Sequence, residues 1–342
     1  MRDNRIDILK CIAIVAVIAI HCSAPVFNLG DQVSAATWTT ANVINAFSRF
    51  AVPLFVMASG AVILGRPETD VLEFYASRCK RLIPALVFWT FVYICFVALT
   101  SKGFWAVGPL RWLAGAALAG EVYVHLWYIP MFIWLMLFSP YLNMTIVGKK
   151  PERKDILILV ILFVVLFSFK LISEILLYGF EKEFVWFQEF AYFIPYYILG
   201  YYLKIWFRLP RRKMYIPLAA FVACGCMITV LNYSLWKYTG VLMDYVAGSN
   251  SGIIVFVMTI ALFMAAMSRE QTNTGKITKI LSDTSFGIYL IHPMLLIGGS
   301  SLLEPFIGNG LIYMVVNVFG TLLVSTALVF VMRKNQWLVK VL

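Results

Sequence analysis

Runs of about 20 apolar residues, each long enough to cross the hydrocarbon layer of a bilayer, recur along the chain between short polar breaks. They predict ten helical spans, at 6–27, 41–64, 82–100, 122–143, 155–178, 188–207, 214–234, 246–267, 281–300 and 310–332. The stretch 103–120 is apolar as well, but Gly108-Pro109 and Arg111 interrupt it, and it reads as an interfacial or re-entrant segment. The longest polar interval, around 268–280, has room only for a loop. The expected fold is therefore an all-α integral membrane protein, with residues 1–342 forming one multi-span domain and no soluble domain.

Composition agrees. The 342 residues are 62% hydrophobic and 13% charged, against roughly 45–50% apolar and 25% charged in a soluble domain. This excludes a water-soluble enzyme, a disordered chain and a nucleic-acid binder. The net charge of +11 is explained by topology, because Lys and Arg concentrate in cytoplasmic loops. With the N-terminus inside, only Lys102, Arg111, Lys182 and Lys237 fall in outer loops, Arg49 and Lys170 fall within spans, and the other cations lie in cytoplasmic segments or, like Lys10 and Lys204, toward the cytoplasmic ends of spans. Both termini are then cytoplasmic, whereas an eleventh span would place the later basic loops outside. Most of the cations are expected to contact membrane lipids. The six cysteines show no metal or disulfide spacing. The first span's apolar stretch exceeds the 7–15 residues of a signal peptide's core, so it reads as a retained helix.

Ionisable groups inside spans usually face a cavity or a partner, and here they are few: Lys10, His21, Arg49, Lys170, Glu174 and His292, with Asp7, Arg78, Arg81, His125 and Asp283 at helix ends. Lys10 and His21 are eleven residues apart on the first helix, so both face one side about 16 Å apart along the axis. Neutral imidazole can take a proton from a hydroxyl or carry an acyl group, but a packing histidine with a hydrogen bond fits the same position. Arg49 is predicted about 12 Å inward from its helix start. It suits an anionic group or an oxyanion, and equally a headgroup contact or a pair with Glu174. Lys170 and Glu174, four residues apart, suit each other. Arg78, Lys80 and Arg81 precede Pro84 and present three cations, fit either for a phosphate-rich ligand or for anchoring. His125-Leu126-Trp127-Tyr128 suits a site or an interfacial belt. His292 stands next to Pro293, where an interrupted helix opens a carbonyl.

Five ordered motifs on separate helices resemble the integral-membrane acyltransferase 3 family, across nearly the whole chain. They are Lys10 with His21 after Arg5-Ile6-Asp7; Ser48-Arg49-Phe50-Ala51-Val52-Pro53-Leu54-Phe55, continuing to Ser59-Gly60 and with Val56 in place of a usual Phe; Arg78-Cys79-Lys80-Arg81; His125-Leu126-Trp127-Tyr128; and Ser285 through Tyr289 to His292-Pro293. The second-helix spacing is most similar to stand-alone surface-polysaccharide O-acetyltransferases, such as that for enterobacterial common antigen. The resemblance implies transfer of an acyl group, usually acetyl, from acyl-CoA as cosubstrate to a hydroxyl of a glycan or lipid-linked sugar, in the bacterial plasma membrane and with no tightly bound cofactor. It implies His21, Arg49 and Lys10 in catalysis and Arg78, Lys80 and Arg81 on the CoA phosphates. Asp7, Ser59, His125, Trp127, Tyr289 and His292 would shape the site. A transporter of an amino acid such as serine, or of a lipid-linked glycan, is the alternative on the same fold.

Overall fold

The computed structural model describes residues 2–66, 70–110, 112–113, 116, 122–148, 152–155, 158, 161, 185–240, 249–250, 252–303 and 310–342. Its helices are α1 (Asn4–Asn28), α2 (Ala35–Ser48), α3 (Ala51–Ile63), α4 (Val71–Thr100), α5 (Lys102–Val107), α6 (Tyr128–Val147), α7 (Val185–Trp206), α8 (Tyr215–Thr239), α9 (Ile253–Met267), α10 (Lys276–Leu303) and α11 (Gly310–Met332). No strand occurs among the described residues. Seven stretches there are long and apolar enough to cross a membrane, as an all-α integral membrane protein requires. Most of the span predicted at 155–178, with Lys170 and Glu174, lies outside the described residues.

Several predicted boundaries move. The span predicted from 246 appears as α9, 15 residues long, or about 22 Å, starting after the extended residue Gly252. The span predicted from 122 begins as α6 at Tyr128, because residues 122–127 form a bend and turns. The predicted 41–64 span is two helices. Pro53 has no N–H to offer the carbonyl four residues back, which is that of Arg49, and the chain turns at Arg49-Phe50 before α3 begins.

Contacts divide the chain into two compact units, one of Met1–Val62 with Pro195–Lys334 and the other of Ile63–Ile194 with Asn335–Leu342. In the first unit α1 packs on α2, α10 and α11, and α8 packs on α9 and α2. Leu9, Ala13, Ile14, Val17 and Ile18 of α1 are buried at roughly helical spacing. The closest approach is between α3 and α7. A Cβ on Gly60 would lie 1.8 Å from the Tyr197 carbonyl oxygen, and one on Gly200 would lie 2.0 Å from that of Met57. Two glycines, each three residues after the carbonyl that the other faces, thus let two backbones touch.

The start of α1 is tied to the α9–α10 connection. Buried Asp7 accepts hydrogen bonds from Arg2, from Ser282 Oγ at 2.7 Å and from Thr274 Oγ1 at 2.9 Å. Arg2 also pairs with Asp283 at 2.8 Å. The Asn4 amide donates to Thr272 Oγ1 at 2.8 Å, and its oxygen accepts from the Thr272 backbone N–H at 3.1 Å. Asp3 caps α1 by accepting from the Arg5 N–H; burial opposes its charge, but the Arg5 guanidinium holds its carboxyl below the usual carboxylate range. Removing the Asp7 carboxylate would strand two hydroxyls and leave the Arg2 guanidinium to Asp283 alone. Asp7→Ala is expected to lower stability by about 1–3 kcal/mol, read as an earlier thermal transition of the detergent-solubilised protein.

In the second unit α4 packs on α6 and on the C-terminal turn, where Trp89 Nε1 donates to the Val341 carbonyl at 2.8 Å. Asp70 caps α4 through the Leu72 N–H and is paired with Lys154 at 2.8 Å. This cap starts α4 at Val71, eleven residues before the predicted start at 82, so Pro84 lies inside the helix and not at its mouth.

Candidate functional site

The first unit brings His21 and His292, 271 residues apart in sequence, into ring contact: their centroids are 5.2 Å apart and their planes tilted by 43°. Local sequence orients His292. Pro293 leaves the carbonyl four residues earlier without its helical donor, and that carbonyl, of Tyr289, meets His292 Nδ1 at 2.7 Å. A carbonyl only accepts, so neutral His292 carries its proton on Nδ1 and its lone pair on Nε2. His292 is completely buried. Tyr289, also buried, lies 6.0 Å from it, ring to ring. Pro25 frees the carbonyl of His21 by the same spacing.

Arg49 stands at the end of α2, which packs on α1. It lies about 21 Å from the start of α2, deeper than predicted because α2 begins at Ala35. Its side chain turns back toward the helix start, the direction helical side chains favour. Nε and Nη2 donate to Asn45 Oδ1 at 2.8 and 2.6 Å. The unit thus holds two imidazoles in ring contact and, at the end of the helix packed on α1, a fixed positive charge, a set that suits moving a proton beside an oxygen that gains negative charge.

Lys10 is half-buried on the His21 face of α1. Asp7 is fully engaged by Arg2, Thr274 and Ser282, so its observed setting is the α1 anchor. Ser59 Oγ donates to the Phe55 carbonyl at 2.8 Å, within α3.

Sequence reading passed over the asparagines of this unit. Asn42, Asn45 and Asn232 are buried to 1% exposure or less. Asn232 Nδ2 donates to Asn42 Oδ1 at 3.0 Å, and Asn42 Nδ2 donates to the Thr229 carbonyl at 3.0 Å, linking α8 to α2. The signal was present, since Asn42, Asn45 and Arg49 recur at the i, i+3, i+7 spacing of one helix face, but a search for ionisable groups does not register amides.

The second unit holds the remaining candidates. His125, 1% exposed, lies in the turn before α6. Its ring meets the edge of Tyr93 at 4.7 Å and of Tyr123 at 5.7 Å, and those two tyrosines stack at 4.7 Å. Trp127 lies 6.0 Å from Phe193, ring to ring. Arg78 and Arg81, three residues apart, share one face of α4. Arg78 is half-buried with its guanidinium 5.0 Å from the Phe74 ring centre, and Lys80 and Arg81 are exposed. Arg78 lines a recess with Tyr75, Cys79 and Leu82 on α4 and Ile133 and Met136 on α6.

Comparison with known protein families matches residues 3–330 to the acyltransferase 3 family, described as an acyltransferase domain. The chain belongs to this family, and its activity class is membrane acyl transfer. No match is found among curated proteins or among solved structures.

Proposed function

We propose that the protein transfers an acyl group, acetyl in the first instance, from acyl-CoA to a hydroxyl of an extracytoplasmic or lipid-linked glycan in the bacterial inner membrane. The observation that carries this reading is the ring contact of His21 with His292, two ionisable groups inside spans that lie 271 residues apart, with the Arg49 guanidinium on the helix that packs on α1. The second-helix spacing, similar to that of stand-alone surface-polysaccharide O-acetyltransferases, supports the choice of acceptor class. The distribution of Lys and Arg supports cytoplasmic termini, hence a donor entering from the cytoplasm.

In the proposed reaction the acceptor hydroxyl oxygen attacks the thioester carbonyl carbon while His21 takes the hydroxyl proton. The carbonyl oxygen gains negative charge and Arg49 stabilises it. When the carbon–sulfur bond breaks, that charge passes to sulfur, which takes the proton from His21, giving the ester and free CoA. His292, its proton held on Nδ1, packs the His21 ring into place with Tyr289 behind it. Lys10 lines the donor route, Asp7 fixes the start of α1 along it, and Ser59 shapes α3. His125 and Trp127 shape the acceptor side. The donor's phosphates are assigned to Arg78 and Arg81, with Lys80 adding charge.

The phosphate assignment has its own test. An Arg78→Ala/Arg81→Ala double variant is expected to raise KM for acetyl-CoA by about 10- to 100-fold, since a hydrogen bond to a charged group contributes about 1.5–3 kcal/mol. It should leave KM for acetyl-pantetheine, which lacks those phosphates, unchanged. An equal rise for both donors would remove these arginines from the phosphate site.

A further inference from the structure

Resting on the acyl-transfer reading, we infer that Asn45 is a second hydrogen-bond donor to the thioester carbonyl oxygen, besides holding Arg49 in position. Arg49 has only donors, so Asn45 must present Oδ1 to it, as the two contacts at 2.6 and 2.8 Å require. The orientation of the amide is thereby fixed, and Nδ2 points away from Arg49. Asn45 is 0% exposed, and Nδ2 meets no acceptor among the described residues. Buried polar groups are almost always paired. An amide that only braced Arg49 would carry this N–H at a loss, and an acceptor that arrives with substrate accounts for it.

Chemistry narrows that acceptor. Asn45 stands one helical turn from Arg49 and holds its guanidinium, so its buried N–H lies beside the charge that meets the carbonyl oxygen in the proposed reaction. A thioester oxygen is a weak acceptor in the ground state and a strong one once attack has placed negative charge on it. A neutral N–H at this point favours the tetrahedral anion over the bound thioester. As the carbon–sulfur bond breaks, the charge leaves that oxygen and the bond weakens again, so the new ester is not retained.

The experiment compares wild type, Asn45→Ala and Asn45→Asp with acetyl-CoA and with its dithioester analogue, in which sulfur replaces the carbonyl oxygen. Aspartate keeps an acceptor for Arg49 and lacks the N–H. Both variants are expected to lose about 10²-fold in kcat on acetyl-CoA, to keep KM within about twofold, and to lose less on the dithioester, whose sulfur accepts hydrogen bonds poorly. Loss of equal size on both donors would reduce Asn45 to a structural residue and overturn the inference. So would wild-type kcat in Asn45→Asp. His21→Ala, run beside them, separates the two readings: if it turns over like wild type, the acyl-transfer site itself is misassigned. If it is inactive while the asparagine variants behave as wild type, only the role of Asn45 fails.

Discussion

Replacing His21 with alanine is expected to lower acyl-transfer turnover by about 10²–10⁴-fold, the usual worth of a positioned general base, while the protein still folds and inserts. The two halves of this expectation have separate grounds. Alanine removes the imidazole proposed to take the hydroxyl proton. Folding, by contrast, rests on other residues of α1. Leu9, Ala13, Ile14, Val17 and Ile18 fill the core against α2, α10 and α11, and Asp7 and Asn4 tie the helix start to the loop before α10. His21 is only half-buried. A monodisperse elution profile and an unchanged thermal transition, beside lost turnover, are the expected results. Loss of both together would identify His21 as a packing residue.

Gly60→Leu is expected to have the largest effect on folding, and even Gly60→Ala should be strongly destabilising. The first atom added at Gly60 would meet the Tyr197 carbonyl oxygen at 1.8 Å, and the reciprocal position Gly200 faces the Met57 carbonyl at 2.0 Å. Both obstacles are backbone, so no rotamer change relieves them and the helices must separate. Overpacking of ordinary side chains costs about 1–3 kcal/mol, and this contact should reach the top of that range or exceed it. Gly298→Ala in α10 is the control, because a Cβ there meets nothing within 4 Å. It should be neutral or slightly stabilising, since alanine is the better helix former. Thermal transitions of the three variants in one detergent decide the matter, and equal behaviour of Gly60→Ala and Gly298→Ala would contradict the close approach.

Hydrophobic pattern specifies the long helices well where one element has simple ends. The predicted span 310–332 coincides with α11, and 6–27 lies within α1. It fails where a cap or a proline decides. Asp70 starts α4 well before its apolar stretch begins, and Pro53 divides a continuous apolar run by withholding one N–H from Arg49. Both signals stand in the sequence, but hydropathy averages over them. The histidines were legible one at a time, as ionisable groups in apolar helices, and Pro293 marked the free carbonyl beside His292. Their pairing was not, because nothing local relates positions 271 residues apart. For Arg49 the sequence offered Glu174, which lies outside the described residues; among the described residues it donates to Asn45, one turn away on the same helix. Asp7 illustrates the reverse case. The resemblance offered it as a residue that shapes the site, and what the sequence did not show is that Arg2, Thr274, Ser282 and, through Arg2, Asp283 tie it into the start of α1.

Proton transfer by His21 during acyl transfer from acyl-CoA is the proposal on which the other site assignments depend. Its most direct test incubates the purified, detergent-solubilised protein and its His21→Ala variant with radiolabelled acetyl-CoA and membrane glycolipid extract. Free CoA and labelled lipid are then followed together. CoA release matched by label on a glycolipid is expected in the wild type, and neither in the folded variant. Equal release and labelling by both proteins would contradict it.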